Sequence, residues 1–492
     1  MGALGAVLAL GAAGCGTSQL AGPTRVLPVH PKPPKPAKPA PGPEPAKPRP
    51  ARVQQPFRPP AVRLPLVTVR VLDGDTGKPI PRPVVTVRGG QRRGRTLFAL
   101  RRRALLQTTV WAPHYAARTL RLPFDRFRRV TVRLYRPDGQ WPMYGVDPAR
   151  TQAHAGIRLR PPFRIVWGRN LGTLIEFPAS VSDGAAYVTN LHGKLYALSM
   201  ADGKTIWKRD LETFDEASSP AVVGDTLVVH RKAGSVLVLD RRNGRVLWTY
   251  ATAGQIESSP VVVDGVDYLG DWAGNVYALD LKRRSVRWVH DDGCKITASA
   301  AIADGAVYLG DYCGRVLALS ASSGATRWTA SAGSPVYGAA AVSGGRVFVP
   351  SRDTGALYAF TTGGSYLWRV STGGYVYSAP AVLGGRVYFG SYTGVLYCVS
   401  AATGAVQWTL GLGGRISGSP AIVDGVVYAG SFAHRIVGAD ARTGRSLFTF
   451  PHGEYVPVSG NRARLLLYGW SSVWAVEPAR KKASRRGTSR RS

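Results

Sequence analysis

The sequence predicts an all-β protein, and two regular features of its larger part carry that prediction. Aromatic residues recur at a nearly constant spacing, at Trp167, Trp207, Trp248, Trp288, Trp328, Trp368, Trp408 and Phe448. Turn dipeptides such as Asp264-Gly265 recur in register with them and separate short apolar or alternating runs, as in hairpins. A period near forty with four short strands per unit is the signature of a propeller blade. The predicted fold is an eight-bladed β-propeller closed by its N- and C-terminal strands and preceded by a small β-sandwich.

The net charge differs between the repeats and the segments that flank them, and this difference limits the classes of partner expected for each. The 492 residues carry a net charge of +35, with +7 in residues 1–60, +14 in 61–140, +7 in 141–478 and +7 in 479–492. Most of the basic excess therefore lies outside the repeats, which argues against nucleic acid and favours anionic lipids or wall polymers as partners of the flanking segments. No run reaches the ~20 apolar residues that a membrane-spanning helix needs.

The amino terminus predicts export. Residues 3–13 are apolar, and the small residues Ala12, Ala13 and Gly14 precede Cys15. Residues 1–15 thus resemble a lipoprotein-type signal peptide, and the resemblance implies that Cys15 carries the lipid anchor. An ordinary signal peptide with an incidental cysteine is the alternative. Residues 16–60 are rich in Pro and Lys, which predicts a polyproline-II spacer or a linker without fixed reach.

Residues 61–140 predict the β-sandwich. Strands are expected at Leu66 to Leu72, Val84 to Arg88, Leu105 to Ala112 and Val130 to Tyr135. The turn after the first strand contains Asp73, Thr76, Gly77, Lys78, Pro79 and Ile80. It resembles the carboxypeptidase-regulatory-like domains, and the resemblance implies a structural or adhesive module without catalytic residues.

An arginine cluster is the densest positive patch of the predicted sandwich. It comprises Arg92, Arg93, Arg95, Arg101, Arg102 and Arg103. Such a patch suits an anionic partner. Few aromatic residues lie beside it, unlike in single-strand nucleic-acid binders, and a solvated charged loop is the alternative.

Most repeat units contain a small residue, a glycine and an aromatic residue between the start of the third strand and the end of the fourth. The glycines are Gly203, Gly244, Gly324, Gly404 and Gly444. We expect each indole to lie over a glycine and against a neighbouring blade, burying ~150–250 Å². The eighth unit ends without a tryptophan, so Phe163 to Trp167 is expected to supply its outer strand and close the ring.

This repeat resembles the tryptophan-docking motif of the pyrroloquinoline-quinone (PQQ) repeat family, over residues 160–478. The family includes quinoprotein alcohol dehydrogenases and the lipoprotein BamB. In the dehydrogenases, the resemblance implies PQQ beneath a ring formed by two adjacent cysteines, together with Ca²⁺ ligands and a catalytic aspartate. The cysteines here are Cys15, Cys294, Cys313 and Cys398, and no two are adjacent.

We therefore predict no cofactor and no catalytic residues, with PQQ and Ca²⁺ only under the alternative of a quinoprotein oxidoreductase. Cys398 takes the place of a small packing residue. Cys294 and Cys313 fall in loops on one face of the same blade, where a disulfide or two free thiols are both possible.

The same face presents the predicted binding surface. Its members follow the second strands of their blades, at Asp271, Trp272, Asp311, Tyr312, Tyr392, Phe432 and Trp470. Such rings suit an extended peptide or a glycan, and local packing of a repeat consensus is the alternative. Acidic residues on this face offer oxygen ligands for Ca²⁺, but they lack the spacing of a compact metal-binding loop, and we predict no metal.

The function predicted is that of a non-catalytic, lipid-anchored extracytoplasmic scaffold in a bacterial envelope. By resemblance to BamB, its loop face is expected to bind an envelope protein or an extended peptide. The alternatives are a PQQ-dependent oxidoreductase and an anionic-polymer binder that uses the basic domain and tail.

Overall fold

The computed structural model describes residues 64–101 and 104–479. The predicted signal peptide with Cys15, the Pro-rich segment 16–60, Arg102, Arg103 and the basic residues 480–492 lie outside that range. Within it, no helix has the length and apolarity to cross a bilayer.

Residues 66–134 form two packed β-sheets. Their strands are β1 (Leu66–Asp73), β2 (Val84–Val87), β3 (Gly90–Arg92), β4 (Leu97–Leu100), β5 (Leu105–Trp111), β6 (Arg118–Pro123) and β7 (Arg129–Leu134). One sheet has the order β3-β4-β1-β7 and the other β2-β5-β6. Alternate residues of β1, such as Val67, Val69 and Val71, enter the core between the sheets, as a period of two requires.

Three strands of this sandwich were not predicted from the sequence. β3 is three residues long and contains no alternating apolar residue, β4 is a run of four apolar residues without alternation, and β6 has only Leu120 and Leu122 as alternating apolar residues. The loop interpretation of the arginine cluster is wrong for Arg92, which ends β3 and donates from Nη2 to the Val85 carbonyl at 2.8 Å. Arg93, Arg95 and Arg101 are exposed and lie outside the strands. The resemblance to carboxypeptidase-regulatory-like domains stays a prediction.

Residues 163–478 form eight repeated sheets, which we number as blades 1 to 8. Blade 1 contains β10 (Ser180–Ser182), β11 (Ala185–Thr189), β12 (Lys194–Ser199) and β13 (Thr205–Asp210), and blade 2 contains β14 (Ala221–Val223), β15 (Thr226–Arg231), β16 (Ser235–Asp240) and β17 (Val246–Ala251). Blade 3 contains β18 (Val261–Val263), β19 (Val266–Gly270), β20 (Asn275–Asp280) and β21 (Ser285–Asp291), and blade 4 contains β22 (Ala301–Ala303), β23 (Ala306–Gly310), β24 (Arg315–Ser320) and β25 (Thr326–Ser331). Blade 5 contains β26 (Ala341–Ser343), β27 (Arg346–Ser351), β28 (Ala356–Thr361) and β29 (Tyr366–Ser371), and blade 6 contains β30 (Ala381–Leu383), β31 (Arg386–Gly390), β32 (Val395–Ser400) and β33 (Val406–Gly411). Blade 7 contains β34 (Ala421–Val423), β35 (Val426–Ser431), β36 (Arg435–Asp440) and β37 (Ser446–Phe450). Blade 8 contains β38 (Val458–Gly460), β39 (Leu465–Tyr468), β40 (Ser472–Pro478) and, from the start of the repeats, β9 (Phe163–Asn170).

The ring is closed by strands from both ends of the repeat region. β9 pairs antiparallel with β40, and Trp167 stands opposite Ala475. The innermost strands of blades 1 to 7 contact one another in order, and β10 of blade 1 contacts β38 of blade 8. The predicted all-β propeller closed in this way is confirmed, and the pairing of β9 covers an edge that blade 8 would otherwise expose.

A segment ahead of the ring, residues 141–154, runs along the inner edges of the blades; we call it the threaded segment. Trp141 exchanges two backbone hydrogen bonds with Val181 of blade 1. Backbone carbonyls further along accept from the inner strands of blades 2, 4, 5, 6 and 7, at Val222, Ile302, Val342, Val382 and Ile422. Its last two residues, β8 (Ala153–His154), pair parallel with β34. The segment thus fills the inside of the ring by backbone pairing.

Arg150 anchors the threaded segment at its most buried point. The side chain is fully buried, and its Nε donates to the Ala300 carbonyl at 2.9 Å. Its Nη2 donates to the carbonyls of Ser259 and Pro260 at 2.8 and 3.0 Å, and its Nη1 to that of Tyr144. Burial lowers the pKa of Arg150 to about 10, so the guanidinium stays charged at neutral pH. One side chain therefore ties the segment to blades 3 and 4.

The repeated tryptophans connect neighbouring blades. Trp368 of blade 5 is 7% exposed, and its Nε1 donates to the Ala401 carbonyl of blade 6 at 3.2 Å. A Cβ at Gly404 would lie 2.8 Å from the indole Cδ2, so only glycine fits beneath the ring, and its φ of +74° also favours glycine. The same close approach joins Trp167 to Gly203, Trp207 to Gly244, Trp288 to Gly324, Trp328 to Gly364 and Trp408 to Gly444.

The sandwich contacts the propeller through two aspartates at the end of β1. Arg462, in the turn between β38 and β39, donates from Nη1 to Oδ2 of Asp73 at 2.8 Å. Asp75 accepts from Nδ2 of Asn461 at 3.0 Å and from Nε2 of Gln140 at 3.1 Å. Burial raises the pKa of Asp75 to about 7. This contact between the sandwich and the propeller, which we call the joint, therefore contains a carboxyl group that titrates near neutrality.

This carboxyl group predicts a specific pH dependence of stability. Because the pKa of Asp75 is raised on folding, its stabilising contribution is complete below its unfolded value of about 4 and is lost as the pH rises through 7. Relative to the Asp75→Asn variant, we expect the free energy of unfolding to fall by about 2 kcal/mol between pH 4 and 8, after a discount for partial exposure. Urea denaturation of both chains across that range measures it. Parallel pH profiles would show that the carboxyl group does not titrate in the joint.

Candidate functional site: an aromatic arc on the loop face

The blade topology gathers two sets of loops at one end of the ring. In each blade the first strand begins after the loop from the previous blade and ends at a tight turn. The interblade loops and the turns between second and third strands therefore share one end, which we call the loop face. The turns between first and second strands share the other end, the turn face. The sandwich meets the turn face, because Asn461 and Arg462 lie between β38 and β39.

Four of the predicted aromatic residues lie within one chain of ring contacts. The centroid of Tyr392 lies 6.2 Å from that of Phe432, and Phe432 is joined to Trp470 through Tyr455, at 4.7 and 6.2 Å. On its other side Tyr392 is joined to Tyr312 through two interblade tyrosines. We call the set the aromatic arc: Tyr312, Tyr337, Tyr377, Tyr392, Phe432, Tyr455 and Trp470.

Tyr337, Tyr377 and Tyr455 were missed in the sequence analysis. Tyr337 lies 4.6 Å from Tyr312 and 5.3 Å from Tyr377, and Tyr377 lies 4.8 Å from Tyr392, between centroids. They come from interblade loops, whereas the predicted rings come from turns within blades. The signal was present, because Tyr337 and Tyr377 stand one full repeat apart, at the same position of successive units.

Basic side chains lie on the faces of these rings. Lys295 Nζ stands 3.2 Å from the centroid of Trp272 and 4.3 Å from that of Tyr312. Trp272, the one predicted aromatic residue outside the arc, is therefore linked to it through the ammonium group of Lys295. Burial lowers the pKa of Lys295. Arg352 lies over Tyr337 at 4.7 Å and Arg415 over Tyr392 at 5.7 Å. Cation–π contacts of this kind hold long side chains in place and leave positive charge beside the rings.

Asp271 and Asp311 lie beneath the loop face and are fully buried. Asp271 accepts from the Asn275 amide at 2.9 Å and from the Tyr277 hydroxyl at 2.9 Å. Asp311 accepts from the amide and from Nε of Arg315, at 2.8 and 2.7 Å. This corrects their assignment to the binding surface: they hold the turns that present Trp272 and Tyr312.

Cysteines brace the same region of blade 4. Cys294 and Cys313 form a disulfide, with their Cα atoms 6.2 Å apart. The disulfide joins the loop before β22 to the turn that carries Tyr312.

The remaining described cysteine, Cys398, lies in β32 of blade 6 and is buried. Burial raises the pKa of its thiol to about 11, so it behaves as a packing residue.

A small cavity lies at the centre of the loop face, where the inner strands begin. In blades 1 to 7 the residue four positions before the inner strand lines it: Glu176, Ala217, Glu257, Thr297, Tyr337, Tyr377 and Ser417. Tyr144 of the threaded segment also lines it, and the volume is about 130 Å³. Burial, reinforced by the nearby Glu257, raises the pKa of Glu176 to about 7. One wall is therefore carboxylic and the opposite wall aromatic.

The comparisons with known proteins agree with this architecture. The family model described as outer membrane protein assembly factor BamB matches residues 163–293, 273–373 and 353–473. The chain belongs to this family. No curated protein matches the BamB-family chain in sequence.

Solved structures share the propeller of this BamB-family chain. BamB from Moraxella catarrhalis aligns over 66% of this chain and 100% of its own, with a TM-score of 0.55 and 16% identity. Quinohemoprotein alcohol dehydrogenase from Comamonas testosteroni aligns over 70% and 82%, with a TM-score of 0.58 and 14% identity. A europium-containing methanol dehydrogenase aligns over 68% and 91%, with a TM-score of 0.58 and 13% identity. At such identities the likeness shows the fold alone.

The residues on the loop face do not fit PQQ with Ca²⁺ in the way that the resemblance to quinoprotein dehydrogenases implies. No two cysteines are adjacent in the chain, and Cys294 is joined to a residue 19 positions away. The central cavity of about 130 Å³ is below the ~300 Å³ at which small-molecule pockets usually begin. Among the described residues, the one group of ligand atoms close enough for a metal is Cys294, Asp311 and Cys313, and the disulfide uses both sulfurs.

Other acidic residues of the loop face are engaged by neighbours. Asp353 accepts from Nη2 of Arg352 at 2.6 Å, and Glu454 contacts Nδ1 of His434 at 2.6 Å. Glu257 lies 3.5 Å from Nζ of Lys232. These pairs are spread around the ring, so they order separate loops.

Proposed function

We propose that this protein is a non-catalytic scaffold of the bacterial cell envelope that binds an extended segment of another envelope protein along the aromatic arc. The observation that carries the proposal is the continuity of the arc, whose rings follow one another across blades 4 to 8 at centroid steps of 4.6 to 6.2 Å. The family supports the envelope setting, since its model is described as an outer membrane protein assembly factor.

The arc suits a polypeptide in extended conformation. Side chains on one face of an extended strand recur every ~6.6 Å, somewhat more than the 4.6 to 6.2 Å between successive rings, so each such side chain meets at least one ring. Half-buried aromatic residues are the groups that most often anchor protein interfaces, because they bury much area at low cost in side-chain entropy. Among the described residues, Lys295 and Arg415 form no ion pair with an acidic side chain, so each is available to a carboxylate of the bound segment.

Photo-crosslinking along the arc tests this function. Benzoyl-phenylalanine is placed singly at Tyr312, Tyr377, Tyr392 and Phe432 in the native host, and the crosslinked products are identified by mass spectrometry. We expect one polypeptide segment to be captured, with its attachment points in the same linear order as the four positions. Tyr366 on outer strand β29 is the control, because it is 57% exposed and lies away from the loop face.

Two outcomes would contradict the proposal. Equal capture at Tyr366 would show that contact is unspecific. Capture of glycan or lipid without polypeptide at the four arc positions would show that the arc serves another ligand class.

The second candidate is a PQQ-dependent oxidoreductase, and the likeness to two alcohol dehydrogenases favours it. The scaffold proposal predicts that purified protein mixed with PQQ and Ca²⁺ reduces an artificial acceptor no faster than PQQ alone, with ethanol or methanol as donor. Stoichiometric retention of PQQ on gel filtration, together with alcohol-dependent acceptor reduction, would favour the enzyme.

A further inference from the structure

The end of the sandwich farthest from the propeller exposes three large apolar side chains. β1 meets the propeller at Asp73 and begins about 23 Å away at Leu66, for a rise of ~3.3 Å per residue. Leu66 is 50% exposed, and Leu105 and Phe127 are each 55% exposed. Leu66 and Phe127 line one small cleft, and Leu105 pairs with Pro123 just before the loop that carries Phe127. We call this end the distal tip.

Arginines surround these apolar residues. The distal tip carries Arg88, Arg101, Arg121, Arg126, Arg128 and Arg129, all exposed, and one acidic residue, Asp125. Arg88, Arg101 and Arg121 line a shallow cleft of about 690 Å³ with Leu105 and Gln107. No other carboxylate lies in the described strands and loops that form this end. The remaining acidic residues of 61–140 lie elsewhere: Asp73 and Asp75 in the joint with the propeller, and Asp138 beside Arg136 after the last strand.

The position of the distal tip in the chain is a third observation. The described chain starts at Leu64, at this end, and 63 residues precede it. The loop face points the other way, since the sandwich meets the turn face. A surface bound by the distal tip would therefore leave the aromatic arc unobstructed.

We propose that the distal tip docks against an anionic phospholipid bilayer. Guanidinium groups bind lipid phosphates bidentately, and an anionic leaflet attracts each cation near its surface. Leu66, Leu105 and Phe127 enter the boundary between headgroups and acyl chains, as in interfacial proteins. These apolar side chains favour a bilayer over a soluble polyanion, which offers them no apolar environment. This inference is independent of the function assigned to the loop face.

Vesicle sedimentation of the full chain tests the proposal. The Cys15→Ser variant is used throughout, so that no lipid anchor contributes. We expect binding to vesicles in which phosphatidylcholine is mixed with phosphatidylglycerol at a molar ratio of seven to three, and little to phosphatidylcholine alone. Arg121→Gln/Arg126→Gln/Arg128→Gln should weaken binding about 100-fold, and Leu105→Ser/Phe127→Ser about 10-fold. The matched control is Arg82→Gln/Arg93→Gln/Arg95→Gln, three exposed arginines of the same sandwich outside the tip, with a change of at most about threefold.

A fluorescent label separates tip docking from attraction by other basic segments. An environment-sensitive dye at Leu105→Cys should shift to the blue on the anionic vesicles, and one at Ser323→Cys, on the turn face of the propeller, should not. Unchanged binding in both tip variants, or no shift at Leu105→Cys, overturns the proposal. Loss of binding in the arginine variant alone, with full competition by soluble polyphosphate, would reassign the tip to a soluble polyanion.

Discussion

Replacement of Arg150 by methionine should lower the free energy of unfolding by about 3–5 kcal/mol. Methionine fills much of the volume but donates no hydrogen bond, so the carbonyls of Ala300, Ser259, Pro260 and Tyr144 lose their buried donor. Each orphaned acceptor costs about 1–3 kcal/mol, partly recovered by relaxation. Chemical denaturation followed by tryptophan fluorescence measures the change.

Arg327 provides the matched control for this prediction. Its guanidinium also donates to two backbone carbonyls, those of Asp304 and Gly305, but at an exposed position. Arg327→Met should change the free energy of unfolding by no more than about 0.5 kcal/mol, because water replaces the lost donor. If the two variants are equally stable, the threaded segment does not hold the ring through Arg150.

Removal of one blade-docking indole should have an effect of similar size. Trp368→Ala is expected to cost about 3–5 kcal/mol, since it empties the space between blades 5 and 6 and removes the bond to the Ala401 carbonyl. The cavity cannot collapse easily, because Gly404 has no side chain to enter it. Thermal and urea unfolding both report the loss.

Tyr366, two residues earlier on the same strand, is the control for the indole. It is 57% exposed, so Tyr366→Ala should cost less than about 1 kcal/mol. A cost for Trp368→Ala no greater than for Tyr366→Ala would mean that the repeated tryptophans do not stabilise the contact between blades.

The propeller was predictable because its determinants are periodic. The aromatic residues and turn dipeptides recur at one interval, and each reports a local requirement, a docked indole or a tight turn, that the sequence expresses directly. The closing role of β9 followed from the strand that blade 8 lacks. In the sandwich, β3 and β4 were not predicted because three or four residues are too few to show an alternating pattern, and β6 was not predicted because its alternation rests on two leucines alone.

The threaded segment was not predictable by the same reasoning. Its bonds to the inner strands of six blades are between backbone groups, which most sequences can form, and the side chain of Arg150 adds four hydrogen bonds to carbonyl groups. An arginine with a positive φ of 57° in a short loop carries no sequence signal of burial.

The candidate site was predicted in part. The position of a residue in the repeat predicted that Trp272, Tyr312, Tyr392, Phe432 and Trp470 share one face. It did not predict which side chains on that face are exposed, so the buried aspartates beside two of these rings were assigned to the binding surface as well. Asp271 and Asp311 directly precede Trp272 and Tyr312 in sequence, yet both carboxylates are fully buried. Tyr337 and Tyr377 lie in interblade loops, which contain neither the turn dipeptide nor the docked indole that marks the repeat, although both occupy the repeat position that lines the central cavity.

The affinity for the captured segment tests the central proposal most directly. The polypeptide identified by crosslinking is synthesised with a fluorescent label, and its Kd is measured by anisotropy for the parent chain, for Tyr377→Ala/Tyr392→Ala and for Tyr366→Ala. We expect the double variant to bind about 30-fold or more weakly, as loss of two aromatic anchors implies, and the Tyr366→Ala control to bind as the parent does. An unchanged Kd in a double variant that remains as stable as the control would contradict the assignment of the aromatic arc as the binding surface.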